Sequence, residues 1–151
     1  MKFIYIFLLT TISSFSYGQN VSATELISIS NMNLEKFDSY INLKGYRYYR
    51  NLSDENGNGI RYRYLSNNAK RYCALSIYQQ NVSIVTYQTF DNKDYLNLKF
   101  QIKNLGFKLI KQSDFNETPY FEYRKGNNNF TIYLFTINGL NSYEISYSKN
   151  Y

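Results

Sequence analysis

The sequence predicts an α+β fold: a helix followed by four strands, used twice, with one antiparallel sheet carrying its helices on one face. Three observations predict it. Two segments, "NLEKFDSYINLKGYRYYRNLSD" and "DYLNLKFQIKNLGFKLIKQSD", share a pattern when Gly45 is set against Gly106. Upstream of each glycine, apolar residues recur at spacings of three and four: Leu34, Phe37 and Ile41 in the first segment, Tyr95, Leu98 and Ile102 in the second. That spacing is one face of a helix. Downstream of each glycine the period changes to two, the period of a half-buried strand.

The chain opens with a segment that is expected to leave. Met1-Lys2 is positive, Phe3 to Ile12 is apolar but too short to span a bilayer, and small residues stand at Ser16 and Gly18 ahead of Gln19. This is the grammar of a signal peptide over residues 1–18, and it implies export to a periplasm or to the medium. No cysteine follows the apolar run, so a lipid anchor is not expected. Removing 18 of 151 residues leaves 133, one domain of two repeats at about 19–90 and 91–151.

"SATELISI" offers a capping box between Ser22 and Glu25 and so a short helix, with a strand as the rival because of its β-branched residues. Asn33 is placed to cap the next helix. Asp91 or Asn92 is placed to cap the last, with Asp94 in its first turn. Gly45 and Gly106 end these helices by taking the left-handed conformation. In "IRYRYL", Ile60, Tyr62 and Tyr64 alternate with Arg61 and Arg63; "YCALSIY" sets Cys73, Leu75 and Ile77 against Tyr72, Ser76 and Tyr78. "VSIVTYQTF" is the fourth strand. The second half supplies "FKLIKQ", "YFEYRK", "NFTIYLFTI" and "YEISYS", separated by turn-forming Asn, Gly and Pro. Tyr62, Tyr64 and Tyr133 fall in apolar strands and are expected in the core.

With the paired "LKGY" and "NLGF" junctions and this strand count, the order of elements resembles the tandem α/β repeat of the β-lactamase-inhibitor protein. It resembles more loosely the saddle of the TATA-binding protein. The resemblance implies a continuous sheet with one open face, and it transfers no site residue.

The chemistry is narrowed by absences. The chain has no histidine, which removes the commonest general base and metal ligand, and its one cysteine, Cys73, allows neither an intramolecular disulfide nor a structural zinc site. Cys73 reads as a small buried residue. Asp54, Asn56, Asn58 and Gly59 match the start of a calcium loop, but the twelfth position is Leu65, the flanks alternate as strands, and Arg61 and Arg63 oppose a cation. A tight Asn-Gly hairpin turn is the reading preferred. Paired carboxylates remain the only enzymatic route, yet the eleven acids fall mostly in turns and first helical turns, and Glu122 and Glu144 read as exposed strand positions. No enzyme, cofactor or metal is expected.

What remains is a surface. If helices cover the side of Ile60, Tyr62, Cys73, Leu75 and Ile77, the other side displays Arg61, Arg63, Tyr72 and Tyr78, extended by Arg47 and Arg50. Tyrosine and arginine with small polar residues is the composition of protein-binding hot spots. Five of the six arginines lie in the first half, which points to that half as the specific surface. A protein partner is therefore expected. A carbohydrate or small ligand in the envelope is the alternative, and pairing of the open face with its own copy in a homodimer is a further use. Removing Lys2 from 17 basic residues leaves 16 against 11 acidic, a net charge of +5. With export, so small an excess argues against nucleic acid, and nothing beyond the leader approaches a membrane span.

Overall fold

The computed structural model describes residues 20–53, 59–67, 70–78, 83–115 and 118–149. The side chains of residues 73–78, 83 and 115 lie outside that description, as do residues 1–19, where a leader is expected, and residues 54–58, where an Asn-Gly turn is expected.

Local signals set the helices. In α1 (Ala23–Ile29) the Ser22 hydroxyl accepts from the Glu25 N–H while the Glu25 carboxylate accepts from the Ser22 N–H at 2.7 Å, the reciprocal capping box. The strand alternative for this segment gives way to that cap. Asn33 caps α2 (Leu34–Leu43) by accepting from the Lys36 N–H at 2.9 Å. Asp91 caps α3 (Asn92–Asn104), accepting from Lys93. Gly45 and Gly106 follow with φ of 84° and 85°, the left-handed region where only glycine sits without a Cβ penalty.

Among the described residues eight strands form: β1 (Tyr46–Ser53), β2 (Gly59–Ser66), β3 (Arg71–Tyr78), β4 (Ser83–Thr89), β5 (Lys108–Phe115), β6 (Thr118–Lys125), β7 (Asn128–Ile137) and β8 (Leu140–Lys149). They form one antiparallel sheet in the order β1-β2-β3-β4-β8-β7-β6-β5. β4 and β8 meet at the centre, with Gln88 opposite Glu144 and Thr86 opposite Ser146, and β1 and β5 are the two edges. Each edge strand breaks register at the same place after its glycine. One break lies between Tyr48 and Arg50, the other between Leu109 and Lys111. The extra residues are Tyr49 and Ile110, each the fourth after its glycine, and such bulges twist an edge away from further pairing.

One face of the sheet is apolar and aromatic. Phe37 of α2 meets Tyr64 edge-on at 5.1 Å, and Tyr95 of α3 stacks on Tyr143 of β8 at 4.4 Å and 7°. Leu26, Ile41 and Ile102 from the three helices are fully buried with Val85, Ile132 and Ile145 from the strands. Fully burying each such side chain is worth about 1.5–3 kcal/mol. At one end of this layer Asp94 accepts from Arg71 Nε and Nη2, both at 2.8 Å, and from Asn20 Nδ2 at 2.7 Å, so β3, α3 and the segment before α1 share one buried carboxylate. No helix of the described residues is long and apolar enough to cross a membrane.

Candidate binding face

The opposite face of the sheet is built from rows of residues paired across the strands. Arg47 stands opposite Leu65, Leu65 opposite Tyr72, Tyr72 opposite Gln88, and the row runs on through Glu144, Tyr133 and Tyr120. The next row starts with Arg50 opposite Arg63. Register thus puts Arg47 and Arg50 on the same side as Arg61 and Arg63. The bulge at Tyr49 is what turns Arg50 to that side. Although Arg50 and Arg63 are directly opposite, their guanidinium groups rest over different rings, Tyr49 and Tyr72.

Glu144 organises the centre. The Tyr72 hydroxyl donates to its Oε2, and Arg61 Nη2 lies 3.6 Å from its Oε1. Arg61 Nη2 also donates to Thr86 Oγ1 at 3.0 Å, and the Thr86 and Ser146 hydroxyls are hydrogen-bonded at 2.9 Å. Arg63 rests over the ring of Tyr72. Burial, and then the Glu144 carboxylate, push the Tyr72 phenol up, so it stays a donor across the physiological range. A second cluster lies on the far half: Glu122 accepts from Arg124 Nη2 at 2.8 Å and from the Tyr120 hydroxyl at 3.1 Å, and burial followed by that carboxylate pushes Tyr120 up to about 12. Tyr133 stands between the clusters. Its ring is 5.0 Å from that of Tyr120, and burial with the Glu144 and Glu122 charges raises its phenol too.

Several sequence expectations change here. Tyr72 is on the open face but only 6 % exposed, so it supports Arg63 and Glu144 from below and is not displayed. Glu122 and Glu144 are half-buried and paired, not solvated strand positions. Tyr133 leaves the core for the face of Glu144, because register sets the two directly opposite. Ile60, expected under the helices, is 42 % exposed at the end of its strand. Register sets Arg47, Arg61 and Arg63 on one side of the sheet; the side chains of Tyr78 and Cys73 lie outside the described residues. Strands, not helices, flank the calcium-like stretch, with Ser53 opposite Ile60, and the stretch itself lies outside the described residues. Thr86, Glu144 and Ser146 went unforeseen. Alternation in "NSYEISYSK" does place Ser142, Glu144 and Ser146 on one side, but only the β4–β8 pairing brings them to the arginines.

Beside Arg61 a hollow of about 480 Å³ opens on this face. Leu52, opposite Arg61 in register, and Ile84 supply apolar lining, and Thr131, Tyr133 and Ser148 supply hydroxyls. Arg61 Nε is buried and has no hydrogen-bond partner among the described residues. The arrangement offers a cation, several hydroxyls and an apolar rim. Its carboxylates, Glu144 and Glu122, are engaged by neighbouring donors. No protein-family model, curated protein or solved structure matches this chain.

Proposed function

We propose that this chain is a secreted, non-enzymatic binding protein that recognises a protein partner through its open Tyr/Arg face, as an inhibitor or immunity-type factor. The observation that carries the reading is the Arg61–Glu144–Tyr72–Arg63 cluster. Two guanidinium groups are held in place at the centre of a sheet face by a buried phenol and a carboxylate. Arg63, held over the buried Tyr72 ring, is fixed before binding and loses little entropy on association, which is the property of a hot spot. Export is the sequence reading of residues 1–18 and joins the proposal on that ground.

The architecture we propose with it is a unit of helix and four strands used twice, its helices over one side. Support comes from the mirrored strand order, the matched φ values of Gly45 and Gly106, and the bulges four residues beyond each. This is also the ground for likening the chain to the β-lactamase-inhibitor protein. A likeness in the order of elements assigns neither a role nor a residue.

The test is capture from envelope extract by immobilised wild type and by an Arg61→Ala/Arg63→Ala variant. A protein retained by the first and lost from the second is the expected result. Equal recovery of every partner overturns the surface. The hydroxyl-lined hollow favours a second reading, an envelope module that binds a carbohydrate or small ligand. Arginine-independent retention on a glycan array would select it.

A further inference from the structure

Three arginines of this protein present the same edge of their guanidinium, Nε with Nη2, to the neighbouring structure. Arg71 closes that edge on Asp94, with both nitrogens 2.8 Å from Oδ2. Arg124 closes it on two oxygens, Nε to Asn129 Oδ1 at 3.0 Å and Nη2 to Glu122 Oε1 at 2.8 Å. Arg61 does not. Its Nη2 has the neutral Thr86 hydroxyl at 3.0 Å and a long 3.6 Å approach to Glu144, and its Nε is buried without an acceptor among the described residues. A buried donor left unpaired costs about 1–3 kcal/mol. That cost is recovered by an acceptor, and the Nε–Nη2 fork matches a carboxylate in two-point geometry.

We propose that the Nε–Nη2 edge of Arg61, at the hydroxyl-lined hollow, is the seat of a carboxylate carried on a short aliphatic stem, as in a glutamate side chain of an acidic partner segment. The proposal rests on the reading of this face as a protein-binding surface and names what that surface takes. Leu52 and Ile84 suit the methylene stem, and Thr131 and Ser148 line the same hollow with hydroxyl donors. Arg47, Arg50 and Arg63 on the same face, in a chain of net charge +6, favour an acidic arrival. A phosphate dianion fits worse, because the Glu144 carboxylate already sits beside Arg61. Nε is covered, so seating requires the guanidinium to turn outward. That movement breaks the 3.6 Å ion pair and the bond to Thr86, while Thr86 keeps Ser146 and Glu144 keeps Tyr72.

The test uses the full, ¹⁵N-labelled protein titrated with N-acetyl-glutamate amide, N-acetyl-glutamine amide and inorganic phosphate. The readouts are the Arg61 Nε–H resonance and the backbone amides of Thr86 and Ser146. Saturable shifts at about millimolar concentration are expected for the glutamate compound. At least about fivefold weaker binding is expected for the glutamine compound, and likewise for Arg61→Lys, read on the amides, since lysine keeps the charge and loses the fork. A Lys36→Ala variant, which removes an exposed charge on α2 away from this face, is expected to bind the glutamate compound as wild type does. No shift, equal response to both amides, or tighter binding of phosphate would overturn the assignment. If selectivity for carboxylate fails while capture still depends on Arg61 and Arg63, this inference alone falls. If that capture fails, the face itself does.

Discussion

The Arg63 guanidinium lies 4.6 Å above the ring of Tyr72, and the hydroxyl of that ring donates to Glu144. One tyrosine therefore serves two ionic groups from two strands, β2 and β8, that are three steps apart in the sheet. The contact holds the Arg63 cation against the Tyr72 ring.

Replacing Tyr72 by Phe keeps the stack and deletes the donor. Glu144, whose side chain is 20 % exposed, then loses one of its charge-assisted bonds. We expect a loss of about 1–3 kcal/mol, seen as a lower urea midpoint at unchanged slope. Arg63→Ala removes only a partly solvated stack and should cost less than about 1 kcal/mol. Equal losses from the two variants would mean that the hydroxyl does little.

Asp94 gives a larger effect. Its side chain is 9 % exposed and that of Arg71 17 %, so Asp94→Ala leaves a poorly solvated guanidinium whose nearest remaining carboxylate is Asp91 at 3.9 Å. We expect about 3 kcal/mol of destabilisation, the low end for a broken buried pair because Asp91 compensates in part. The double variant Arg71→Met/Asp94→Leu should lie closer to wild type than Asp94→Ala does, since no unpaired charge is left behind. Thermal or urea unfolding of the three proteins checks the order.

Much of this fold was legible because local chemistry and hydrophobic period agreed. Ser22 with Glu25, Asn33 and Asp91 announced three helix starts, and Gly45 and Gly106 announced two ends. Period-two alternation separated Arg61 and Arg63 from Tyr62 and Tyr64. The site was only half legible, because cross-strand partners distant in sequence are set by sheet order. Glu144 meets Arg61 from 83 positions away only because β8 adds beside β4. Tyr133 was misplaced for a related reason: both parities of β7 are apolar or aromatic, and pairing with Glu144 decides which one faces out.

Helix α3 separates packing from exposure within a single element. Tyr95 is 6 % exposed and stacked on Tyr143, while Phe100 on the outer side is 62 % exposed. Tyr95→Ala should cost about 3–5 kcal/mol through lost transfer energy and the cavity left behind. Phe100→Ala should stay within about 0.5 kcal/mol of wild type. Comparable losses from both would place a partner or a packed surface over Phe100.

Glu25 supplies the acid-side prediction. Burial works to raise its carboxyl, but bonds from Lys44, Tyr40 and Ser22 outweigh burial and hold it down at about 2, against an ordinary 4.5. As pH falls, the unfolded chain therefore takes up this proton before the folded one does. The stabilisation is fully present above the unfolded value and drains away as pH falls from about 5 toward 2. Because the side chain is 30 % exposed, solvent screening trims the contribution to about 1 kcal/mol. Glu25→Gln should lower stability at neutral pH by that order and flatten the decline between pH 5 and 2. Urea midpoints measured across that window decide the matter: parallel curves for wild type and variant would mean that the Lys44 and Tyr40 bonds do not hold Glu25 ionised in solution.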